Sequence, residues 1–321
     1  MDFSVVVPLY NEEENVQLLY EEIHDVLKGM DARSEIVFVD DGSRDSTLAR
    51  LESIQQHDPG VKVVSLRRNF GQTAAMSAGF DHAGGAVIIT MDGDLQNDPH
   101  DIPKMLAKLD EGYDVVTGWR FDRQDAMLSR KLPSMMANRL ISWVTGVSLH
   151  DYGCTLKAFR REVIENINLY GEMHRFIPAI ASGMGISFTE IKVNHRARRF
   201  GTSKYGISRT IRVVLDLMTV KFLLSYATRP LHVFGTVGIF SSLAGFLLAL
   251  ILVIQRQFFG VALADRPLLL LAVLLIFLGI QFITIGLLAE LVVRTYHESQ
   301  KKPIYYVRKV LGISAPDDRQ A

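Results

Sequence analysis

Short apolar runs alternate along the first 120 residues with longer segments in which apolar residues recur every three or four positions. Each run is four to six residues long and ends close to a polar residue, proline or glycine, which predicts a buried strand. The predicted strands lie at 3–7, 35–39, 61–66, 86–90 and 114–117. Strands that alternate with helices at this spacing are typical of βαβ units, so the predicted fold class is α/β, with a mostly parallel sheet flanked by helices.

Other elements are predicted from weaker periodic patterns. They are helices at about 99–111, 133–145 and 160–166 and a further strand at 186–194. Near the N-terminus, Asn11 and Glu14 have the spacing of a capping pair, which predicts a helix that begins just after Asn11. The polar and basic residues at 120–131 predict a loop.

Two stretches near the C-terminal end are more apolar than any predicted strand. Residues 233–254 and 267–289 contain 22 and 23 consecutive residues without Asp, Glu, Lys or Arg. Each is long enough to cross the roughly 30 Å hydrocarbon core of a bilayer as a helix. We therefore predict two transmembrane helices. Two buried helices of a large soluble core are the alternative, which the length of the uncharged runs disfavours.

Charge is balanced over the whole chain but not along it. The formal net charge is +0, yet 196–231 contains eight Lys or Arg against one Asp, and the segment after the second apolar run is also basic. By the positive-inside rule, both termini are predicted to face the cytoplasm. The one cysteine, Cys154, fits a reducing compartment and excludes an intrachain disulfide. No cleavable leader precedes the first strand, so the N-terminal domain is expected in the cytosol.

A basic segment joins the predicted sheet to the first apolar run. Within 205–231, apolar residues fall on one helical face and most basic residues lie off that face, which predicts an amphipathic helix. Such a helix either lies in the membrane interface or packs on the soluble domain, and both alternatives remain open.

Acidic residues follow two of the predicted strands directly. Asp40 and Asp41 come after the second strand, and Asp92 and Asp94 come after the fourth, with a glycine between them. Ligands of parallel α/β sheets bind beyond the carboxyl ends of the strands. Paired carboxylates suit a hard divalent cation that also binds phosphate oxygens and water, so a nucleotide diphosphate is the predicted ligand. A solvated acidic turn is the alternative.

Other phosphate-binding patterns do not fit the sequence. The first strand continues into Pro8 and Tyr10 without a glycine, which excludes the Rossmann fingerprint. The Gly-Thr-Ser-Lys at 201–204 lacks the upstream glycine of a P-loop. A phosphate-receiver domain also places Asp pairs at strand ends, but it accounts for neither the Asp-Gly-Asp element nor the two apolar runs.

Several elements resemble those of family 2 glycosyltransferases, which have the GT-A fold. These elements are VVPLYNE at 6–12, VDDGS at 39–43, RNFGQ at 68–72 and DGDLQ at 92–96. More narrowly, DYGC at 151–154, RRFGTSKY at 198–205 and the two apolar runs are similar to the polyprenyl-phosphate glycosyltransferases. That group includes dolichyl-phosphate mannose synthases, bactoprenol glucosyltransferases and the undecaprenyl-phosphate formamido-arabinose transferase. The resemblance extends over nearly the whole chain.

The resemblance implies roles for individual residues. Binding of the nucleotide sugar is implied for Pro8, Tyr10, Glu12, Asp40, Asp41, Asp92 and Gln96. Mg²⁺ or Mn²⁺ would be held by Asp92, Asp94 and Gln96. The lipid phosphate or the donor diphosphate would be bound by Arg120, Arg130, Arg198, Ser203 and Lys204. The catalytic residues would be Asp94, Asp151 and Arg198. For the basic residues, simple attraction to a membrane surface is the alternative.

The implied reaction is inverting transfer of a hexose or pentose from a nucleotide diphosphate sugar to a polyprenyl phosphate. Asp151 is the family's candidate for a general base. However, a phosphate monoester has a second pKa of roughly 6 and is mostly ionised at pH 7, so little proton remains to be removed. Positioning the sugar or orienting an arginine is the alternative role for Asp151.

The predicted organisation has four parts. They are a catalytic domain at 1–204, a juxtamembrane region at 205–231, two transmembrane helices with a short external loop at 232–293 and a cytoplasmic tail at 294–321. Expected partners are a nucleotide diphosphate sugar, a polyprenyl phosphate and membrane lipid, without nucleic acid. The expected location is the inner or plasma membrane of a bacterium, where the product would feed cell-envelope glycan or lipid modification. Small residues in the first apolar run, such as Gly238 and Ser242, allow close approach of a helix, either in a homo-oligomer or in packing between the two spans.

Two other functions share some of these features. A processive polysaccharide synthase has the same fold and membrane helices, but neither Trp119 nor Trp143 lies in the Gln-x-x-Arg-Trp element that those enzymes have in common. A non-catalytic, membrane-anchored nucleotide-binding subunit is the third interpretation, and the intact acidic residues disfavour it.

Overall fold

The computed structural model describes residues 1–121, 138–139, 141–142, 145–167, 176–182, 185–197, 230–260, 262, 267–299 and 304–312. The chain forms two compact units. One unit comprises Met1–Val220 together with Pro303–Ala321, and the other comprises Lys221–Lys302. The predicted amphipathic helix at 205–231 lies almost entirely outside the described residues, as does most of the predicted helix at 133–145.

The first unit is an α/β structure. Its strands are β1 (Phe3–Leu9), β2 (Ser34–Asp40), β3 (Val61–Leu66), β4 (Val87–Thr90), β5 (Val115–Trp119), β6 (Lys157–Arg160), β7 (Phe188–Lys192) and β8 (Val307–Leu311). Its helices are α1 (Val16–Lys28), α2 (Thr47–His57), α3 (Gln72–His82), α4 (Ile102–Asp110), α5 (Arg161–Glu165) and α6 (Ile177–Ser182), with a 3₁₀ turn at Pro99–Asp101 before α4. The strands and helices predicted in the first 120 residues are confirmed, with shifted ends.

All eight strands form one mixed sheet, in the order β7-β5-β6-β4-β1-β2-β3-β8. The four central strands, β4, β1, β2 and β3, run parallel to their neighbours in that block. Antiparallel pairing occurs where β6 lies between β4 and β5, and where β8 adds to the edge of β3. The predicted mostly parallel sheet flanked by helices is confirmed, while β6 and β8 are additions that the apolar pattern did not predict.

The core forms because the central strands are apolar at almost every position. Val5, Val6 and Val7 of β1 are fully buried, as expected for a strand covered by helices on both faces. Helix α1 contributes a stripe of buried apolar residues at helical spacing, Val16, Leu19, Ile23 and Leu27. Burying one such side chain stabilises the fold by about 1.5–3 kcal/mol, so the sheet supplies a rigid base for the loops at its carboxyl edge.

The predicted capping pair at Asn11 and Glu14 is wrong. Helix α1 begins only at Val16, and Asn11 has a left-handed backbone with φ 54°. The side chain of Asn11 accepts a hydrogen bond from the Arg44 backbone N–H at 2.9 Å, and its own N–H donates to Ser43 Oγ. Asn11 therefore joins the loops after β1 and β2, because a partner distant in sequence replaces the local helix cap.

The second unit contains two long helices, α7 (Pro230–Phe259) and α8 (Pro267–Ser299). Phe234–Phe259 and Pro267–Ala289 are long and apolar enough to cross a membrane. Their large side chains are mostly exposed, for example Phe240 at 68% and Leu270 at 73%, as expected for helices in lipid.

Small residues allow the two helices of this unit to approach closely. A Cβ on Gly238 would lie 2.6 Å from the carbonyl of Gly279, and one on Gly245 would lie 2.7 Å from that of Ala272. Ser241 Oγ donates to the carbonyl of Leu275 at 2.9 Å. These small residues thus allow the two helices of one chain to pack closely, as one of the two alternatives predicted, and the homo-oligomer stays a prediction.

Candidate active site

The loops after β1, β2 and β4 meet at the carboxyl edge of the sheet. The backbone N–H of Asp41 donates to the carbonyl of Leu9 at 2.8 Å, and that of Met91 donates to Val6 at 3.2 Å. The acidic residues predicted at two strand ends therefore lie at the ends of β2 and β4, the two strands that flank β1.

Asp41 is buried and is held by the loop that follows β3. The backbone N–H groups of Phe70 and Gly71 donate to its two carboxylate oxygens at 2.7 and 2.9 Å. Burial raises the pKa of Asp41, and these two hydrogen bonds act in the opposite direction. Gly42 (φ +67°) allows the loop after β3 to pack against the turn after β2, because a Cβ on Gly42 would overlap the backbone of Arg68. Each carboxylate oxygen can accept a second hydrogen bond, which a nucleoside N–H or O–H could supply.

Asp40 has a different environment, although it is the next residue. Its carboxylate accepts hydrogen bonds from the Ser43 backbone N–H at 3.0 Å and from Ser65 Oγ at 3.1 Å. Ser43 belongs to the turn after β2 and Ser65 belongs to β3, so Asp40 links this turn to β3. Asp40 therefore supports the shape of the site.

Three more residues predicted to bind the nucleotide lie at the end of β1, where Pro8 is the last residue but one, and in the loop that follows, which contains Tyr10 and Glu12. Pro8 and Tyr10 are half-buried. Glu12 accepts a hydrogen bond from Asn15 Nδ2 at 2.6 Å, and its backbone N–H donates to Thr47 Oγ1 at 2.9 Å. This loop is thus tied to the loop after β2, and the structure brings the predicted nucleoside-binding residues together.

The Asp92-Gly-Asp94 element follows β4 in a tightly constrained loop. Gln72 Nε2 donates to Asp92 Oδ1 at 2.7 Å, and the Gln96 backbone N–H donates to Asp94 Oδ1 at 3.2 Å. Gly93 leaves no room for a Cβ, which would overlap the side chain of Leu9. Leu95 has φ 61°, a left-handed conformation that costs a non-glycine residue on the order of 1 kcal/mol. Such strain concentrates at functional sites because the surrounding structure fixes it.

The donor atoms of this loop suit a hard divalent cation. Asp92 and Asp94 offer carboxylate oxygens, the ligand type preferred by Mg²⁺ and Mn²⁺. Within the described residues, no group of three or more His, Cys, Asp or Glu could hold a metal ion. A cation bound here would therefore complete its coordination with water and phosphate oxygens, as Mg²⁺ usually does in sites that bind phosphorylated substrates.

Gln96 joins the metal-binding loop to the segment that follows β7. Its side-chain Nε2 donates to the carbonyl of Arg196 at 3.3 Å, and the Arg196 N–H donates back to the Gln96 carbonyl at 2.9 Å. Arg196 itself forms ion pairs with Glu22 at 2.6 Å and Asp98 at 2.8 Å. Arg196, two residues before the basic RRFGTSKY element in the sequence, therefore lies beside the Asp92-Gly-Asp94 loop.

A buried ion pair lies on the other side of the site. Arg120 Nε and Nη2 donate to the two oxygens of Asp151 at 2.6 and 2.8 Å, and the side chains are only 15% and 5% exposed. Burial acts to lower the pKa of Arg120, but its bonds to Asp151 outweigh burial and raise the pKa, with a contribution from the charge of Asp92. The geometry is that of a carboxylate that orients an arginine near Asp92.

Lys157, the first residue of β6, and Cys154, three residues before it, lie near this ion pair. Lys157 is 2% exposed and its Nζ lies 3.5 Å from the carbonyl of Tyr152. Cys154 is fully buried, and burial raises the pKa of its thiol to about 11, so the thiol is neutral. The small cavity here is lined by Met76, Thr90, Tyr152, Gly153, Cys154, Thr155 and Lys157.

Some predicted site residues cannot be placed, and the structure adds others. Arg130, Arg198, Ser203 and Lys204 lie outside the described residues. Sequence reasoning did not single out Gln72, Phe70, Lys157 or Arg196 as site residues. The RNFGQ element contains Phe70 and Gln72, so this element was the signal that could have identified those two residues.

Comparison with known proteins identifies the family. The family described as "Glycosyl transferase family 2" matches residues 4–167. A dodecaprenyl-phosphate galacturonate synthase of Rhizobium johnstonii is 45% identical over 97% of this chain and 93% of the relative. An undecaprenyl-phosphate 4-deoxy-4-formamido-L-arabinose transferase of Proteus mirabilis is 40% identical over 99% of this chain and 96% of that protein.

A solved structure supports the same assignment of the fold. Glucosyl-3-phosphoglycerate synthase from Mycobacterium tuberculosis, in complex with Mn²⁺, UDP and glucosyl-3-phosphoglycerate, matches with a TM-score of 0.54 and 17% identity. The match covers 70% of this chain and 79% of that one, and at this identity it shows the fold alone. Together with the sheet order and the family match, it confirms the predicted GT-A fold. The chain belongs to glycosyltransferase family 2.

Proposed function

We propose that this protein transfers a sugar from a nucleotide diphosphate sugar to a polyprenyl phosphate, with inversion at the transferred carbon. The observation that carries the proposal is the strained Asp92-Gly-Asp94 loop with the Arg120–Asp151 pair nearby. The relatives at 40–45% identity are named for transfer to dodecaprenyl or undecaprenyl phosphate, and the matches extend through both apolar helices. Modification of cell-envelope glycan or lipid is the role that such products would serve.

The donor would bind across the carboxyl ends of β1, β2 and β4. Asp41 offers a fixed carboxylate to the nucleoside, while Asp92 and Asp94 would hold a divalent cation, with Gln96 beside them. A bound Mg²⁺ or Mn²⁺ would neutralise charge that develops on the nucleotide diphosphate as it leaves. The residues of the loop fix the two carboxylates in place, so little reorganisation is needed when the donor arrives.

The acceptor needs no strong base in this reaction. A phosphate monoester with a second pKa of roughly 6 is already mostly ionised at pH 7. Both oxygens of Asp151 are engaged by Arg120, which favours a positioning role for this carboxylate. Arg120 would then present its positive charge to the donor diphosphate or to the lipid phosphate, together with the cations Arg130, Arg198 and Lys204 and the hydroxyl of Ser203.

The topology that we propose places the catalytic unit and the C-terminal tail on the cytoplasmic side. Strand β8 follows both apolar helices, yet it pairs with β3 of the same sheet that precedes them. Two crossings return the chain to its starting side, which agrees with the excess of Lys and Arg outside the loop between the helices. Accessibility tags at the C-terminus and near Gly260 should report the cytoplasm and the exterior, respectively. An exterior C-terminus would contradict two crossings.

The test of the reaction is direct. Membranes that contain the protein are supplied with undecaprenyl phosphate, Mg²⁺ and a panel of labelled nucleotide sugars, including galacturonate and 4-formamido-arabinose donors. Label in the organic phase that depends on added acceptor supports the proposal. Label in an aqueous polymer would instead indicate a processive polysaccharide synthase. Nucleotide binding without turnover on the whole panel would indicate a non-catalytic subunit.

A further inference from the structure

The segment after the second apolar helix folds back onto the catalytic sheet. Strand β8 pairs antiparallel with β3, with Val64 opposite Val310 and Leu66 opposite Val307. The pairing extends beyond the strand, because the backbone N–H of Arg67 donates to the carbonyl of Tyr306 at 2.9 Å. The tail therefore reaches the first residue of the loop at 67–71, the loop that holds Asp41.

Two adjacent tyrosines of the tail make different contacts. Tyr305 is buried and its hydroxyl donates to Asp81 Oδ2 on α3 at 2.6 Å. Burial, with the hydrogen bond to Asp81, raises the pKa of Tyr305. The ring of Tyr306 instead lies 6.1 Å from the ring of Phe70, tilted by 49°. Tyr305 thus anchors the tail to the body of the unit, whereas Tyr306 touches the loop.

Phe70 connects this contact to the candidate active site. Its backbone N–H donates to Asp41 Oδ1, and the N–H of the next residue, Gly71, donates to Asp41 Oδ2. The guanidinium of Arg68 lies 4.2 Å from the centre of the Phe70 ring. The side chain of Arg67 also binds the tail, since its Nε donates to the carbonyl of Val307 at 3.3 Å. Phe70 is the residue that combines a ring contact with the tail and a backbone hydrogen bond to Asp41.

From these contacts we infer that Tyr306, which precedes strand β8, is a positioning residue for donor binding. The tail holds the loop at 67–71 in the conformation in which Phe70 and Gly71 fix Asp41, and the affinity for the nucleotide sugar depends on that contact. The inference rests on the proposed function only in assigning Asp41 to the nucleoside. Exposed loops with few buried contacts open readily, which is why one added ring contact matters here.

The first measurement needs no substrate. Hydrogen–deuterium exchange is followed at the Phe70 and Gly71 amides of the full-length protein in lipid nanodiscs. Tyr306→Ala should increase exchange at these amides about tenfold, and Tyr306→Phe, which keeps the ring, should restore protection. The matched control is Lys309→Ala, which removes the 2.9 Å ion pair between β8 and Glu52 without touching the loop. Unchanged exchange at Phe70 and Gly71 in Tyr306→Ala would overturn the inference.

The second measurement separates donor from acceptor. Tyr306→Ala should raise the KM for the nucleotide sugar several-fold, while kcat at saturating donor and the KM for polyprenyl phosphate stay close to wild type. Faster exchange with an unchanged donor KM would overturn the link to donor binding. Equal losses of thermal stability and donor affinity in Tyr306→Ala and Lys309→Ala would show that β8 acts only as a structural brace. Failure of the wild-type enzyme to turn over any donor would refute the proposed function, while the exchange result would still decide whether the tail holds the loop.

Discussion

The two halves of the sheet hold buried carboxylates in different ways. In the half formed by β1, β2 and β3, Asp41 is held by two backbone N–H groups. In the half formed by β5, β6 and β7, Asp151 is held by the guanidinium of Arg120. Backbone donors stabilise a carboxylate without cancelling its charge, whereas a guanidinium cancels it. We therefore propose that Asp41 offers a negative charge to the ligand and that Asp151 fixes the guanidinium of Arg120.

The largest effect is expected at the loop that lies between the two halves. Asp94→Asn removes a charged oxygen ligand while it keeps the shape of the side chain, so turnover should fall by about 100-fold or more. Thermal stability should change little. Addition of a chelator to the wild type should stop turnover, and Mg²⁺ or Mn²⁺ should restore it.

The control for this variant is Asp110→Asn, at the exposed end of α4. It should leave both turnover and metal response unchanged. Near wild-type turnover of Asp94→Asn, or a wild-type enzyme insensitive to chelators, would contradict the assignment of a metal to this loop.

The arginine-held carboxylate should respond next most strongly. Asp151→Asn leaves Arg120 buried without its counter-charge, and breaking such a pair typically costs about 3–5 kcal/mol in the free energy of unfolding. The double variant Arg120→Met with Asp151→Leu should regain most of that stability, because an apolar pair often replaces a buried ion pair without loss. It should not regain turnover. Thermal unfolding and initial rates measure the two effects separately.

A pH profile distinguishes the two roles of Asp151. If it only positions Arg120, the residual activity of Asp151→Asn keeps the wild-type dependence on pH, and Arg120→Lys shows a similar loss because a lysine cannot make the bidentate contact. Loss of the acidic limb of the profile in Asp151→Asn alone would instead identify a general base.

The backbone-held carboxylate should mainly affect donor binding. Asp41→Asn cannot accept both N–H groups, since an amide has one acceptor oxygen, and an unsatisfied buried donor costs about 1–3 kcal/mol. The KM for the nucleotide sugar should rise about tenfold, for the loss of one charged hydrogen bond. The matched control is Asp58→Asn. Asp58 lies outside the site, and it also accepts a hydrogen bond from a backbone N–H, that of Gly60, at 2.8 Å. Equal KM values in the two variants would remove Asp41 from the donor site.

The smallest effect is a difference in pH dependence. Because the pKa of Asp41 is raised, the folded protein binds this proton more tightly than the unfolded chain does. Its contribution to the free energy of unfolding therefore increases as pH falls towards the ordinary value of about 3.9. Wild type should gain stability relative to Asp41→Asn over that interval, as measured by denaturant unfolding at several pH values. A constant difference between the two proteins would show that the pKa of Asp41 is not raised.

Glu35 provides the opposite case within the same half of the sheet. Burial acts to raise its pKa, but hydrogen bonds from Lys62, Ser4 and Gly84 outweigh burial and lower it. The stability that Glu35 contributes is present above its ordinary pKa and is lost as pH falls through the lowered value. The two carboxylates should thus show opposite slopes when each is replaced by its amide.

Local patterns predicted much of the sheet and the acidic strand ends. The central strands are short apolar runs, and Asp92 and Asp94 directly follow one of these runs. The strands and the acidic residues at this strand end could therefore be predicted from the local sequence. Strand β6 was missed because its four residues begin with Lys157 and end with Arg160, and only the fold shows that this lysine is buried. The pairing of Arg120 with Asp151 joins residues 31 positions apart, which no periodicity encodes.

The other misses arise where distant contacts override local preference. Asn11 has the spacing of a helix cap, but its side chain binds the Arg44 backbone in another loop. Strand β8 contains two exposed basic residues, Arg308 and Lys309, so the sequence pattern predicted only a charged tail at this position. Its pairing partner β3 lies far upstream, so the strand could be found only from the fold.

The position of β8 in the chain has a consequence for biosynthesis. Arg67 and its partner Val307 are separated by 240 residues, so during translation β3 remains an unpaired edge until both apolar helices have been made. Contacts this distant in sequence also form slowly, because a long loop must close first. For most of synthesis, the part of the sheet that has left the ribosome therefore lacks β8. The sheet is completed only after both apolar helices have been made.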